Sequence, residues 1–354
     1  MGRRILVTGL GTFWGSRLAQ ALEARDDVDL IVGVDARAPR LPLTRTEFVK
    51  ADPSYAILQR VVRATHVDTV LHTHLEADST RSSPRRLHET NVIGTMNLLA
   101  AAAASESQVR KVVVKTATLV YGSHFDDPYF FREESRRAHV PVTPVERSLV
   151  DVDNLLRDFA DDNPDVVTTR LRFANILGDD VSTLFARLLR MRAAPEILGF
   201  DPRLQFVHED DVTRALEFAV THELPGTYNV AGPGTITWSE TCDLVGKRRV
   251  ALPPVLTRPA AFPLRVLRVT DLAPETLSLL RYGRCVDTAR LLAAGFEYRY
   301  STRETVEAFA EARRLERVVG TPEPYVYEHD VEEFFRHSPA VLRSERREGG
   351  PADR

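Results

Sequence analysis

Residues 5–15 read ILVTGLGTFWG: an apolar run leads into Thr8, glycines follow at three positions, and Gly15 opens a helical stretch. A buried strand that turns through such a loop into a helix presents backbone N–H groups and the positive end of the helix dipole, which suit a pyrophosphate. Asp35 ends the next apolar run, where a carboxylate hydrogen-bonds ribose hydroxyls. The pattern predicts a dinucleotide-binding loop made of Gly9, Gly11, Thr12, Phe13 and Gly15.

Two residues bear on which dinucleotide is bound. Thr12 stands where a glycine would let the backbone approach phosphate, so its side chain either crowds the pyrophosphate or hydrogen-bonds to it. The Asp35 carboxylate repels a 2′-phosphate and favours NAD, whereas Arg37, two residues on, leaves NADP open as the less favoured cofactor.

Short apolar runs alternate with amphipathic helical stretches from Arg3 to Asn175. The runs are apolar throughout, as is typical of parallel strands covered on both faces. Their alternation with helices predicts an α/β fold, a doubly wound parallel sheet of the Rossmann type. We expect this domain over residues 1–178, a smaller mixed C-terminal lobe over 179–338 with pieces returning to the sheet, and a disordered tail over 339–354.

Composition narrows the class of protein. The net charge of −3 and the isoelectric point near 6.4 argue against a nucleic-acid-binding surface. Cys242 and Cys285 are the only cysteines and lack the spacing of a metal site, which indicates a reducing compartment. The chain runs directly into its first strand and no apolar run is long enough to cross a bilayer, so we expect a cytoplasmic protein without a transmembrane segment.

Further segments resemble the extended short-chain dehydrogenase/reductases, in particular the NAD-dependent epimerase/dehydratase family of nucleotide-sugar enzymes. The resemblance rests on the loop at residues 8–15 and on Ala51-Asp52, His72 to Leu75, Asn91 to Leu99, Val120 to Gly122, Arg172 to Gly178, Phe206 to Val212, Tyr228 to Val230 and Asp287 to Phe296. It implies cofactor contacts for Asp52, His74 and Asn91 and sugar-nucleotide contacts for Asn175 and His208. A packed or solvated histidine is the alternative for His74, and no metal site is expected.

The same resemblance implies a catalytic Ser or Thr, a Tyr, and a Lys four residues after that Tyr. Their positions hold Ala117, Val145 and Leu149, and none of the nine tyrosines has a lysine four residues later. Thr116, Thr118 and Glu146 are possible substitutes, although a charge at the start of a helix is more often a cap.

Three functions therefore stay open. The first is a protein that binds NAD, and a nucleotide sugar, without the usual redox chemistry and acts as a sensor or scaffold. The second is an active epimerase, dehydratase or reductase with a relocated acid/base, and the third is an interaction module without nucleotide. The resemblance also implies a homodimer through the helices at Asn91–Ala104 and Pro144–Asp161, and substrate selection by the loops at Ser123–Pro141 and Leu252–Pro274.

Overall fold

The computed structural model describes residues 2–80, 82–254 and 272–319. Seven parallel strands form the central sheet in the order β11-β6-β5-β4-β1-β2-β3. The strands are β1 Arg3–Thr8, β2 Val28–Asp35, β3 Thr46–Lys50, β4 Thr69–His72, β5 Lys111–Ala117, β6 Val167–Phe173, β7 Asn175–Leu177, β8 Ala193–Ile197, β9 Arg203–Leu204, β10 Phe206–His208, β11 Gly226–Val230, β12 Ile236–Thr237 and β13 Arg248–Leu252.

Helices cover both faces of this sheet. The helices of the described residues, including those away from this sheet, are α1 Phe13–Glu23, α2 Tyr55–Thr65, α3 Pro84–Leu87, α4 Gly94–Ala102, α5 Pro144–Asp162, α6 Leu184–Arg190, α7 Glu209–Thr221, α8 Trp238–Leu244, α9 Pro274–Tyr282, α10 Ala289–Ala293 and α11 Thr302–Val319. A π-helical turn, His88–Ile93, leads into α4, and a 3-10 turn, Thr118–Tyr121, follows β5.

Alternate residues of β1 enter two different apolar cores. Ile5 and Val7 pack with α1 and α7 on one face, while Leu6 packs with α2, α4 and α5 on the other. Because side chains alternate across a strand, a strand buried on both faces must be apolar throughout. This confirms the interpretation of the uninterrupted apolar runs and the predicted doubly wound α/β fold.

The strand order reverses beside β1. The chain builds β2 and β3 on one side of β1, and then crosses to build β4, β5 and β6 on the other. In open parallel sheets this reversal leaves a crevice beyond the carboxyl ends of the strands, where ligands bind. The fold therefore places the ends of β1, β4, β5 and β6 around one crevice.

Some element boundaries differ from the sequence pattern. Helix α1 begins at Phe13, two residues ahead of the predicted Gly15, because the Thr12 side chain caps it. The helix predicted over Asn91–Ala104 is a π-helical turn followed by α4. Strand β11 lies beyond residue 178 yet pairs with β6 in the main sheet.

By its contacts the chain divides into the units Met1–Phe309 and Ala310–Arg354. The predicted boundary at residue 178, inside the first unit, stays a prediction. The predicted tail at 339–354 and most of the loop at 252–274 lie outside the described residues. Among the helices that are described, none combines the length and the apolarity that a membrane span requires.

Candidate dinucleotide site

A cavity of about 630 Å³ opens at the carboxyl ends of β1, β4, β5 and β6. This volume lies within the usual range of ligand pockets. Its wall combines the loop before α1, the segment after β4, the end of β5, the segment after β6 and part of α9. Cationic side chains line it at five positions, Arg37, Arg40, Arg86, Lys115 and Arg284, and carboxylates at four, Glu76, Asp78, Asp180 and Glu275.

The glycines of the predicted loop are required by close backbone approaches. Gly9 has φ of +82°, and a Cβ there would lie 2.8 Å from the His74 nitrogen. A Cβ on Gly15 would lie 2.1 Å from the Gly9 carbonyl oxygen, closer than atoms can approach. Gly11 similarly faces Arg37, since a Cβ there would lie 2.8 Å from both the Arg37 Cβ and its carbonyl oxygen. The loop can therefore close only with glycine at these three positions.

Thr12 turns its hydroxyl into the loop. The Oγ1 atom donates to the Gly9 carbonyl at 2.7 Å and accepts from the Gly15 N–H at 3.1 Å. As the first two residues of α1, Phe13 and Trp14 carry N–H groups that have no acceptor inside the helix. The loop thus uses Thr12 as a helix cap and leaves those two amides for an anion.

Asp35 is fully buried beside this loop. Its carboxylate accepts the Gly11 N–H at 3.0 Å and the Arg37 N–H at 2.8 Å, one bond to each oxygen. The His74 Nδ1 lies 3.9 Å from Asp35 Oδ2, and His74 lines the cavity. Burial lowers the pKa of His74, while the Asp35 carboxylate acts in the opposite direction.

The positions implied for the catalytic Tyr and Lys lie in apolar packing. Val145 and Leu149 are completely buried in a cluster with Tyr121 and Phe131. Neither is part of the cavity wall, whereas Ala117 is. Helix α5 therefore turns an apolar face to the protein interior where the resembling enzymes carry their acid/base pair.

The three proposed substitutes differ in what they contact. Thr116 lines the cavity, and its buried Oγ1 has no hydrogen-bond partner among the described residues. Thr118 also lines the cavity, and its Oγ1 accepts from Arg284 Nε at 3.3 Å. Glu146 lies outside the wall, where its Oε2 accepts the Thr143 N–H at 3.2 Å and pairs with Arg137 at 3.1 Å. Its carboxylate completes a capping box at the start of α5.

Of the other predicted contacts, only Asn175 lines the cavity, where its Nδ2 donates to the Gln205 carbonyl. Asn91 is buried and ties the segment after β4 to α5, because it bonds the Glu76 backbone and Ser148 Oγ. His208 caps α7, and Asp52 is exposed after β3. The structure does not bring these last three side chains to the cavity wall, and their predicted roles stay predictions.

The sequence analysis did not single out Lys115. It stands on β5 and lines the cavity, with Nζ 5.2 Å from the centre of the Trp14 ring and 5.5 Å from that of Phe173. Burial lowers the pKa of Lys115 to about 8, and the described part of the chain offers it no carboxylate partner. The available signal was a lysine directly after the apolar run Val112–Val114 of β5.

Arg284 and Glu275 were also missed, because they come from a region where the pattern is weak. Arg284 donates to the Gly122 carbonyl at 3.1 Å as well as to Thr118, and burial lowers its pKa to about 10. Glu275 accepts from Ser79 Oγ at 2.6 Å through Oε1, while its buried Oε2 has no partner among the described residues. Burial raises the pKa of Glu275.

The sheet order, the capped glycine loop and the cavity beside it define a Rossmann-type α/β protein with a candidate dinucleotide site. The profile of the NAD dependent epimerase/dehydratase family matches residues 5–231, and the chain belongs to this family.

Individual proteins are similar to this chain over different shares of its length. An uncharacterized protein of Mycobacterium tuberculosis is 32% identical over 321 residues, which cover 89% of this chain and 85% of that protein. A UDP-glucose 4-epimerase of Erwinia amylovora is 30% identical over 186 residues, which cover 49% of this chain and 53% of the enzyme.

Solved structures share the fold. The Thermotoga maritima UDP-glucose 4-epimerase with UDP-glucose has a TM-score of 0.68 at 20% identity, over 88% of this chain and 98% of that one. The Bacillus anthracis dTDP-glucose 4,6-dehydratase in complex with NAD has a TM-score of 0.66 at 18% identity, over 88% and 97% of the two chains.

Proposed function

We propose that this protein binds NAD, together with a nucleotide sugar, and acts as a sensor or scaffold without the Tyr/Lys redox chemistry of its family. The observation that carries the proposal is the burial of Val145 and Leu149 in apolar packing beside an intact glycine loop. A loop that tolerates no Cβ at three positions fits a pyrophosphate, and the apolar face of α5 offers no group that exchanges a proton with substrate.

Different residues in and beside the cavity would bind different groups of the ligand. The Phe13 and Trp14 amides and the helix dipole hold phosphate. The ribose contact of Asp35 stays a prediction, because its carboxylate is fully buried outside the cavity wall and accepts the Gly11 and Arg37 N–H groups. Bound NAD would supply a hydride acceptor. Lys115 supplies a positive charge that no carboxylate of the described residues neutralises, and a phosphate ester is the ligand group that compensates it. Of the two solved structures compared above, one contains UDP-glucose and the other NAD, which supports this assignment.

Titration calorimetry with NAD and with UDP-glucose, each followed by a turnover assay on the same sample, tests the proposal. We expect saturable NAD binding and no conversion of the sugar. The Gly94→Ala variant is a control that leaves the cavity unchanged, since an added Cβ there has its nearest neighbour at 3.7 Å. Failure of the wild type to bind NAD would overturn the proposal.

An active enzyme with a relocated acid/base is the second candidate. It is favoured by Glu275, whose carboxyl lines the cavity, whose Oε2 has no partner among the described residues, and whose pKa is raised by burial. Turnover of a UDP-sugar that is lost in Glu275→Gln or Thr118→Val, with NAD affinity retained, would establish this candidate and replace the first. Turnover that survives both changes would place the acid/base elsewhere.

The third candidate, an interaction module without nucleotide, rested on Thr12 as an obstacle to phosphate. Because its hydroxyl is engaged inside the loop, this ground is weakened. A thermal melt that no dinucleotide shifts would revive it.

We also propose a homodimer formed by α4 and α5. Two large apolar side chains are exposed where the π-helical turn passes into α4, Ile93 at 39% and Met96 at 46%. A second copy is the partner that the resemblance implies, and exposed apolar area of this kind gains from burial. Light scattering should give the mass of a dimer for the wild type and a shift toward the monomer for Met96→Glu. A monomeric wild type would contradict the proposal.

A further inference from the structure

A cluster of metal-binding side chains lies outside the cavity, in the loop that joins β5 to α5. His124 Nδ1 lies 2.5 Å from Asp126 Oδ1, and His139 Nε2 lies 2.7 Å from the same oxygen. The two imidazole rings are 3.6 Å apart between centres. One ligand atom from each residue lies within 4.8 Å of the other two.

Two imidazole nitrogens and a carboxylate oxygen are a donor set that zinc and related divalent transition metals accept. We propose that His124, Asp126 and His139 bind one zinc ion, with water in the remaining position. Zinc bonds to these atoms are about 2.0–2.2 Å long, which sets neighbouring ligand atoms roughly 3.3 Å apart. The three side chains reach that arrangement by shifts on the order of 1 Å, which ordinary rotation of surface side chains provides.

The backbone on both sides of the cluster is already held in place. The His124 N–H donates to Asp127 Oδ2 at 2.6 Å. The His139 carbonyl accepts from Arg137 Nε at 2.7 Å, and the Arg137 guanidinium is anchored to the buried carboxylate of Glu146. Interactions that orient ligand-bearing segments in this way strengthen metal sites.

The exposure of the cluster suits entry of an ion from solvent. The side chains of His124 and His139 are each 37% exposed and that of Asp126 is 48% exposed. Bound zinc therefore keeps access to water for its open position. It also adds the positive charge that the adjacent carboxylates of Asp126 and Asp127 favour.

A zinc ion here would crosslink two segments of the chain. It would join His124, near the end of β5, to His139, near the start of α5, and so close the intervening segment into a loop. The residues just before His124 hold Arg284, because Gly122 O and Ser123 Oγ both accept from its guanidinium. Metal binding would thus steady one wall of the cavity, independently of what the cavity binds.

Zinc titration of the full chain after removal of metal by chelator dialysis tests the site. We expect one zinc per chain. The zinc affinity of Asp126→Asn and of His139→Gln should fall by at least about ten-fold, since each change removes one of three protein ligands. His222→Gln, a change at an exposed histidine stacked on Phe218, is the matched control and should leave affinity unchanged. Zinc should also slow amide hydrogen exchange over residues 122–143 in the wild type but not in Asp126→Asn.

Thermal melts without zinc show whether each variant folds. Absence of stoichiometric zinc binding by the wild type would overturn the proposal. Equal binding by the wild type and both ligand variants would overturn it as well. Zinc would then be an adventitious ion on other groups, and His124, Asp126 and His139 would only hydrogen-bond to one another.

Discussion

An ammonium group loses hydration free energy when it leaves water. Two aromatic rings recover only part of that free energy, less than a carboxylate partner would. Lys115 is in this position between Trp14 and Phe173. Its lowered pKa has the same cause, since burial disfavours the charged form. An anionic ligand in the cavity would reverse that balance, which makes Lys115 a sensitive reporter of the proposed function.

Substitution of Lys115 by Met keeps the length of the side chain and removes its charge. We expect NAD to bind roughly 10- to 100-fold more weakly, the range that follows from loss of a charged hydrogen bond worth about 1.5–3 kcal/mol. Calorimetry measures the change. Lys247→Met, at an exposed lysine that bonds the Met191 carbonyl, is the control and should bind NAD as the wild type does. Unchanged affinity in Lys115→Met would remove this residue from the site while leaving the proposal of NAD binding intact.

Gly15→Ala tests the loop directly. The new Cβ would be placed 2.1 Å from the Gly9 carbonyl oxygen, so the loop must shift away from the conformation that aims the Phe13 and Trp14 amides. We expect a lower melting temperature and NAD affinity reduced by at least about ten-fold. Gly94→Ala, inside a helix with room for the methyl group, should instead be stabilised by about 0.5–1 kcal/mol. Wild-type NAD affinity in Gly15→Ala would show that the loop does not bind pyrophosphate.

Helix α5 shows how an element can keep its position in a fold while its buried face changes chemistry. Its capping box at Thr143 and Glu146 fixes the start of the helix, and its apolar residues pack against the 3-10 turn that follows β5. Val145 and Leu149 are fully buried, and burial of these apolar side chains stabilises the fold. A Tyr and a Lys at the same positions would instead serve proton transfer.

Leu149→Lys should therefore cost stability without restoring activity. The new ammonium would enter an apolar cluster with no carboxylate prepared for it, a loss of roughly 3–5 kcal/mol. Urea denaturation measures it. Leu292→Lys, at a leucine that is 44% exposed on α10, introduces the same side chain where water solvates it and should have little effect. Near-wild-type stability in Leu149→Lys would mean that a lysine at this position can reach the cavity, contrary to the packing described.

The apolar strands and the doubly wound fold could be predicted because both faces of strands such as β1 are covered, which leaves a pattern that the sequence displays directly. The glycine loop could be predicted for a similar reason, since its backbone contacts exclude every other residue. The place of β11 beside β6 could not, because that pairing depends on how distant segments meet. Lys115, Arg284 and Glu275 could not, because membership of a cavity wall depends on how distant segments pack. The cluster at His124, Asp126 and His139 was missed for the same reason, since its first and last members come together only when the loop folds back.

At the scale of the whole molecule, a buried group of uncharged polar side chains joins several elements where β1 and β4 lie side by side. His72, at the end of β4, is buried there, with Nδ1 2.6 Å from Thr8 Oγ1 and Nε2 3.2 Å from Thr95 Oγ1. Burial lowers the pKa of His72 to about 3, with a smaller contribution from His74. The neutral ring thus joins the two central strands to the π-helical turn and α4, and protonation would break that junction.

The free energy of unfolding should consequently decrease as the pH is lowered. An unfolded histidine binds a proton below about pH 6.5, whereas His72 in the native state stays neutral down to about pH 3, so acid favours the unfolded chain over this window. Between pH 7 and pH 5 this residue alone should remove about 2 kcal/mol of the free energy of unfolding, at about 1.4 kcal/mol for each pH unit below 6.5. His72→Gln, which keeps hydrogen-bonding groups near both threonines, should show a correspondingly flatter dependence in denaturation measured at the two pH values. His88→Gln, at an exposed histidine, should follow the wild type, and equal slopes for His72→Gln and the wild type would mean that His72 is protonated in the native protein.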